Sequence, residues 1–374
     1  MKFIVTKNRF NSALSIVNRA VSSNAPIPSL NGIRIDAEED KLIITGSNSD
    51  ISIRMTVRTD DNNDPQILEK GSIVIEAKYL TEIVRKMDSE KIEAEIIDGT
   101  LTQFSGNGAE FRINGYRPSE YPNIDLSVPE YTMNMNAGKL SSIIESTAFA
   151  ASVKETRPVL TGVNFSSDGT RIIATATDSF RLARNVFAGN GDAFNITVPA
   201  KSLNEARAVF NDSAKDLVIH LNTKKIQFVS DDIILQSRLL DGSYPETERL
   251  IPKEFKYDLV VNKQKLIGTI DRSSIMKNEN MTVIRMQIKD ENNVTVSNRA
   301  QEIGEFNEPI HPVSYNGAPL DISFAANYAI DALRAIDSPN VRIRFTGEMK
   351  PFILTDEAGN DDVLQLVLPI RTYN

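Results

Sequence analysis

Val74-Ile-Glu-Ala-Lys-Tyr-Leu-Thr-Glu-Ile-Val-Arg-Lys-Met87 returns along the chain as Thr197-Val-Pro-Ala-Lys-Ser-Leu-Asn-Glu-Ala-Arg-Ala-Val-Phe210, and more loosely as Ile322-Ser-Phe-Ala-Ala-Asn-Tyr-Ala-Ile-Asp-Ala-Leu-Arg-Ala-Ile336. Ala77 and Ala200 stand 123 residues apart, and Ala200 and Ala325 stand 125 apart. A second set keeps the same beat: Lys2-Phe-Ile-Val-Thr-Lys-Asn8, Thr132-Met-Asn-Met-Asn-Ala-Gly138 and Asp258-Leu-Val-Val-Asn-Lys-Gln264. Glu120-Tyr-Pro122 and Ser243-Tyr-Pro245 repeat it a third time. A fixed period of this size marks repeated domains, each near the commonest domain length. The boundaries fall at the proline-containing stretches near Ser127 and Lys253, giving domains 1–127, 128–253 and 254–374.

Each repeated segment is a short strand running straight into an amphipathic helix. Over residues 8–21 the apolar face is Phe10, Ala13, Leu14, Val17, Ala20 and Val21, opposite Ser12, Ser15, Asn18 and Arg19. Strands are predicted at 32–35, 41–45 and 51–57, then at 72–75, a helix at 78–87, and strands at 92–97, 101–105 and 110–114. Asp98-Gly99 is a hairpin turn signal between two of them. Each domain is thus two similar halves, an α+β unit whose two helices bury one stripe each on antiparallel sheet. Strung in an arc, three such units leave two unsatisfied ends.

Composition excludes several chemistries. The 374 residues are 41% hydrophobic and 25% charged, with no cysteine, so disulfides, thiolate catalysis and cysteine-ligated metals are out. Two histidines remain: His220 within the alternating Asp216-Leu-Val-Ile-His-Leu221, and His311 between Ile310 and Pro312 without a second ligand at metal spacing. No P-loop, dinucleotide fingerprint or nucleophile elbow is present, and Glu38-Glu39 and Asp361-Asp362 read as solvated turns. No catalytic residue, metal or cofactor is expected. The apolar runs are too short for a signal peptide or a membrane span, which fits a cytoplasmic location.

Net charge is −8, but its distribution is uneven. The six helical segments, 7–21, 77–88, 138–155, 201–211, 263–277 and 326–336, sum to +8, leaving −16 elsewhere. Their cations include Lys7, Arg9, Arg19, Lys78, Arg85, Lys86, Lys201, Arg207, Lys263, Lys265, Arg272 and Lys277. A basic lumen around duplex DNA needs this asymmetry; good helix formers on solvated faces produce it too. With no tryptophan, recognition helix or zinc finger, base readout is disfavoured, whereas loose phosphate contacts carry no sequence information and permit sliding.

Four motifs narrow the reading: Arg157-Pro-Val-Leu-Thr-Gly-Val-Asn-Phe165, Ala176-Thr-Asp-Ser-Phe-Arg-Leu-Ala183, Asp241-Gly-Ser-Tyr-Pro245 and the ending Leu364-Gln-Leu-Val-Leu-Pro-Ile-Arg-Thr-Tyr373. Together, and over the whole chain, they resemble the bacterial DNA polymerase III beta subunit, the sliding clamp family. The resemblance implies a ring-shaped head-to-tail homodimer around double-stranded DNA, a heterologous contact closed by one further copy. It implies Phe111 and Ile113 on one side of that contact and Ile275 and Met276 on the other, where the competing reading is ordinary core packing. It also implies a pocket for short peptides from the DNA polymerase III catalytic subunit, the clamp loader, and other polymerases and repair proteins. The matching positions are Arg157, Leu160, Thr177, Ser179, Phe180, Arg181, Leu182, Pro245, Leu250, Pro351, Leu366, Leu368, Pro369, Ile370 and Arg371, apolar walls with polar groups at the mouth.

This chain departs from the family twice. Phe180 stands where members often carry histidine, which makes the pocket rim more apolar. The loop Ser22-Ser-Asn-Ala-Pro26 lacks the arginine some members carry before the proline, and with it a DNA contact there. A repeat scaffold that binds peptides without encircling DNA shares the pocket but not the lumen, and an enzyme is the other rival class.

Overall fold

The computed structural model describes residues 1–189, 191–276, 282–300 and 302–371. The first repeat runs β1 (Lys2–Thr6), α1 (Lys7–Val17), β2 (Gly32–Ala37), β3 (Lys41–Ser47), β4 (Ile51–Arg58), β5 (Gln66–Glu69), β6 (Gly71–Glu76), α2 (Ala77–Lys86), β7 (Lys91–Asp98), β8 (Leu101–Gly106), β9 (Ala109–Asn114). The second runs β10 (Tyr131–Asn136), α3 (Ala137–Thr147), β11 (Gly162–Asp168), β12 (Arg171–Thr177), β13 (Arg181–Ala188), β14 (Ala193–Pro199), α4 (Ala200–Val209), β15 (Asp216–Leu221), β16 (Lys225–Ser230), β17 (Ile233–Arg238). The third runs β18 (Tyr257–Asn262), α5 (Lys263–Ser273), β19 (Val283–Asp290), β20 (Asn293–Ala300), β21 (Gly304–Ile310), β22 (Ser314–Asn316), β23 (Leu320–Ala325), α6 (Ala326–Arg334), β24 (Asn340–Phe345), β25 (Phe352–Asp356), β26 (Val363–Val367).

All six strand-to-helix junctions are direct, as the repeat predicts. The third differs by one residue: α6 starts at Ala326, so the residue matching Ala77 and Ala200 is Ala326, not Ala325. Ala325 is the last extended residue, φ −73° and ψ 129°. This shift aligns Tyr328 with Tyr79. Strands β5 and β22 are short additions that the periodicity missed, because neither spans a full alternating run.

The chain forms two compact units, Met1–Lys139 with Glu205–Leu239, and Leu140–Asn204 with Leu240–Asn374. The first holds a sheet ordered β5-β1-β7-β8-β9 and another ordered β10-β15-β16-β17-β4-β3-β2-β6. The second holds β14-β11-β12-β13-β26-β25-β24-β18-β22 and β21-β20-β19-β23. The two long sheets are fusions of half-sheets from consecutive repeats. Strand β4 joins β17 from Ile51↔Ser237 to Met55↔Ile233, and β13 joins β26 from Arg181↔Val367 to Asn185↔Val363.

Helix α1 packs across two sheets, touching β1 of the five-stranded sheet and β3 and β4 of the eight-stranded one. Phe10, Ala13, Leu14, Val17 and Ala20 are buried, and Phe10 meets Phe3 edge-on at 5.8 Å. Each such phenylalanine or leucine contributes about 1.5–3 kcal/mol, and truncating Leu14 to alanine costs about 2–5 kcal/mol. The predicted polar face, Ser12, Ser15, Asn18 and Arg19, is exposed. At the predicted hairpin Gly99 takes φ +57°, open to glycine without strain.

Candidate functional site

The turn between β12 and β13 is built by its own side chains. Asp178 accepts from the Phe180 and Arg181 amides at 2.9 and 3.0 Å, an Asx turn that leaves Ser179 at φ +78°. The Thr177 hydroxyl donates to the Arg181 carbonyl at 2.6 Å and accepts from the Ser179 amide at 3.1 Å. The Thr177 amide donates to the Tyr244 hydroxyl at 3.0 Å; burial pushes the Tyr244 phenol up, so it stays protonated. The repeated Tyr-Pro motif is therefore a pin under this turn.

Two aromatic contacts follow from that geometry. Phe180, 57% exposed, stacks on Tyr328 of α6 with ring centres 6.5 Å apart. The Arg181 guanidinium lies 4.7 Å from the Tyr328 ring centre and 5.2 Å from that of Phe149. Its donors meet Asp178 at 3.0 Å, Asp331 at 2.6 Å and the Phe149 carbonyl at 2.6 Å. Arg181 is fully engaged inside the fold, where it positions Phe180 and Tyr328.

Pairing of β13 with β26 brings Leu182 opposite Leu366, and both are buried with Ile353 and Leu364. Ile251, Phe255 and Leu368 pack against this cluster. The Leu368 amide donates to the Phe180 carbonyl at 3.0 Å and the Ile370 amide to the Ser323 carbonyl at 2.7 Å, extending the strand end through Leu368-Pro369-Ile370. Leu160 is buried, while Arg157, Pro245 and Arg371 are exposed and Pro351 is half-buried. Leu250 is 55% exposed beside Ile251. The fold thus joins Thr177, Ser179, Phe180, Arg181 and Leu182 with Leu366 and Leu368, and Leu182 and Leu366 form a floor. Sequence reasoning missed Tyr328, Phe255, Ile251 and Ile353; only the corrected register of the third repeat signalled Tyr328. Thr372 and Tyr373 of the closing motif lie outside the described residues.

The β3–β4 turn is a twin of this one. Asn48 accepts from the Asp50 and Ile51 amides at 3.1 and 3.0 Å, Ser49 has φ +82°, and the Ser49 amide donates to the Ser47 hydroxyl at 3.2 Å. The Arg238 amide donates to the Asp50 carbonyl at 2.8 Å, as Leu368 does to Phe180. Its floor is polar: Ser52 lies opposite Gln236, where the other turn has Leu182 opposite Leu366. There Gln227 donates to the Leu126 and Ser127 carbonyls at 3.2 and 3.1 Å. Of these two junctions, β13–β26 is the one with a leucine pair at this position.

The basic helix residues divide by partner. Lys7 donates to the Met87 carbonyl beyond α2 at 2.6 Å, and its repeat equivalent Lys263 to the Ile336 carbonyl beyond α6 at 2.7 Å. Each ammonium sits at the negative end of the sister helix. Arg9 pairs with Asp60 at 3.0 Å, Arg19 with Glu205 at 3.0 Å, Arg85 and Lys86 with Glu82 at 2.7 and 2.8 Å, and Arg272 with Glu308 at 2.9 Å. Arg272 holds the Glu308 carboxyl below its ordinary range. Lys78, Lys201, Arg207 and Lys265 are exposed, and among the described residues Lys78, Lys201 and Lys265 have no acidic partner. Lys277 lies outside the described residues.

Of the four candidate contact residues, Phe111 is 40% exposed on β9, an edge strand, with Ile113 half-buried two positions on. Ile275 is 70% exposed and Met276 half-buried just past α5. That turn is tied to β20 by Asn298, which donates to the Ser273 and Met276 carbonyls at 2.9 and 2.8 Å. His220 lies on β15 with Nδ1 2.9 Å from the Thr132 hydroxyl, a strand position. Among the described residues no group of three metal-ligating side chains occurs, and no helix is long and apolar enough to cross a membrane.

Family models for the DNA polymerase III beta subunit match the chain in three pieces: the N-terminal domain over 1–125, the central domain over 134–246 and the C-terminal domain over 248–371. The beta sliding clamp of Bacillus subtilis (strain 168) is 35% identical over 381 residues, covering 100% of both chains. The crystal structure of the DNA polymerase sliding clamp from Bacillus subtilis superposes with a TM-score of 0.96 at 35% identity over 100% of both chains. That of the DNA polymerase III beta chain from Streptococcus pneumoniae TIGR4 gives 0.95 at 32%, over 99% of this chain and 100% of that one.

Proposed function

The chain belongs to the DNA polymerase III beta subunit family, and from that membership we propose how it works: two copies close head to tail around duplex DNA and tether polymerases to it. It is a DNA sliding clamp, a processivity factor of replication. Its work is mechanical, with no catalytic step, cofactor or metal, and it takes place in the cytoplasm. The domains divide at the linkers, as 1–127, 128–253 and 254–374.

The observation that carries ring closure is the pattern of strand edges. Within the chain, the third strand of a first half-domain pairs with the last strand of the next second half-domain, β4 with β17 and β13 with β26. By the same equivalence β21 and β9 are the pair left over, each at the edge of its own sheet. Joining β21 of one chain to β9 of another repeats the mode a third time, and a heterologous contact of this kind closes after one further copy. Phe111 and Ile113 on β9, and Ile275 and Met276 beside β20, supply apolar surface at that joint.

DNA is held by exposed helix cations such as Lys78, Lys201 and Lys265 through its phosphates, which leaves the ring free to slide. Peptides of the polymerase catalytic subunit, the clamp loader and other DNA-processing proteins dock over the Leu182–Leu366 floor, with Phe180, Leu250 and Leu368 at its rim. The experiment is topological. Loaded onto nicked circular DNA, the protein stays bound at raised salt and is lost once the circle is cut. Equal retention on linear and circular DNA overturns encirclement and leaves a peptide scaffold.

A further inference from the structure

The twin turn of the first unit carries an arginine with no hydrogen-bonded partner among the described residues. Arg54 on β4 and Arg184 on β13 occupy equivalent positions, each three residues after the start of the strand that joins two half-sheets. Arg184 donates to the Asp361 carbonyl at 3.1 Å. Arg54, half-buried between Thr45 and Ile234, meets no acceptor among the described residues; its Nε, like that of Arg184, is buried without a hydrogen bond, but no other nitrogen of its guanidinium compensates as the Arg184 contact to Asp361 does. A guanidinium stays charged in proteins, so neutralisation cannot relieve this desolvation. Burial does lower its proton affinity, with Asp36 acting the other way.

The surroundings set the charge of a ligand. Arg34, two strands away on the same face and thus roughly 10 Å off, is closed on Asp36 by hydrogen bonds of 2.9–3.0 Å. Lys41 is paired with Glu38 at 3.1 Å. Among the described residues of this face, Arg54 is left without an ion pair of its own, although Asp36 and Glu38 act on it at longer range. This balance suits a single carboxylate and disfavours a polyanion, which Asp36 and Glu38 repel. We propose that Arg54 anchors a second docking point, on the polar twin of the peptide site, which takes a carboxylate from an acidic linear segment of a partner protein. The planar fork of the guanidinium receives a carboxylate through two parallel hydrogen bonds. The proposal stands apart from encirclement and from the apolar pocket.

The probe is a dye-labelled peptide with blocked ends and one glutamate flanked by glycine and serine, titrated against the full-length protein and read by anisotropy, with the same peptide carrying glutamine instead as the neutral control. Wild type binds the glutamate peptide saturably and the glutamine peptide not at all. Arg54→Gln weakens the former at least about tenfold, whereas Arg58→Gln, which removes an exposed arginine already paired with Asp232 at 3.0 Å, does not. Because Arg54→Gln deletes an unpaired charge, its thermal midpoint equals or exceeds that of wild type. In wild type the Arg54 Nε–H resonance also moves on titration, a readout independent of any variant. Unchanged affinity in Arg54→Gln, equal weakening in Arg58→Gln, or full displacement by inorganic phosphate at matched ionic strength overturns the proposal, the last marking an adventitious anion site.

Discussion

Arg181 and Asp331, 150 positions apart in sequence, meet at 2.6 Å between β13 and α6. This contact fastens the turn carrying Phe180 to the helix carrying Tyr328, so both faces of the candidate pocket rest on one guanidinium. Arg181→Met removes three hydrogen-bonded partners and leaves Asp178 and Asp331 without their cation. Opening of the strand pair becomes easier by about 3 kcal/mol, read as roughly hundredfold faster hydrogen exchange at the Leu368 amide. Asp331→Asn has a smaller effect, about 1 kcal/mol, because Asp331 is 35% exposed and Asp178 still holds Arg181. Equal exchange in Arg181→Met and wild type would remove Arg181 as the positioning residue.

Phe180→His tests the rim. The stack on Tyr328 survives in part, but apolar area is lost at an exposed edge, so affinity for a leucine-anchored polymerase peptide falls about three- to fivefold, near 1 kcal/mol. Calorimetry on the two proteins decides it; identical affinities mean the aromatic rim is passive.

The architecture was legible because hydrophobic period and spacing both survive in the repeats: the face from Phe10 to Ala20, the Asp98-Gly99 hairpin and the six strand-to-helix junctions all follow from local pattern. What local pattern could not give was which strands fuse between repeats, since β4–β17 and β13–β26 are pairings between distant segments with no turn chemistry to announce them. The site was legible as a set of positions through resemblance. The engagement of Arg181, the burial of Leu182 and Leu366 and the role of Tyr328 depend on those long-range pairings. Charge counting by helix was coarser still, because it did not separate Lys7, which donates to a carbonyl, from Lys78, which has no acidic partner among the described residues.

That difference is measurable. Lys7→Ala and Lys263→Ala remove a cation from a helix end and a hydrogen bond, lowering stability by about 1 kcal/mol each while leaving the salt dependence of DNA association nearly unchanged. Lys78→Ala and Lys265→Ala leave the unfolding midpoint alone and each reduces the slope of log affinity against log salt by up to about 0.9. The reverse assignment would show that the engaged lysines are the ones that reach phosphate.

Asp125 gives a pH signature in the first linker. Its carboxylate accepts from the Ser127 hydroxyl and amide and from Lys225, which hold it down at about 2 against an ordinary 3.8. A carboxyl lowered in the folded state adds stability that is complete above pH 3.8 and is lost as pH falls through about 2. Protection of the Ser127 amide should therefore exceed that in Asp125→Asn at neutral pH, and the gap should shrink as pH falls through about 2. A gap of undiminished size at pH 2 would mean the linker is held by other contacts.

Ring closure makes the most exacting demand on two exposed side chains. If β9 of one chain meets β21 of another, Phe111 and Ile275 leave water on assembly, and each contributes apolar burial of about 1.5–3 kcal/mol. An aspartate at either position must instead be desolvated at the joint without a partner, which costs several kcal/mol. Because both are exposed in the single chain, Phe111→Asp and Ile275→Asp leave its fold and its thermal unfolding nearly unchanged. Sedimentation should then find wild type at twice the 41.5 kDa chain mass and both variants at 41.5 kDa. The variants should also be lost from circular DNA as readily as from linear. A variant that remains dimeric at low micromolar concentration would place the joint elsewhere, and a monomeric wild type would leave β9 and β21 as unpaired edges with no closing partner.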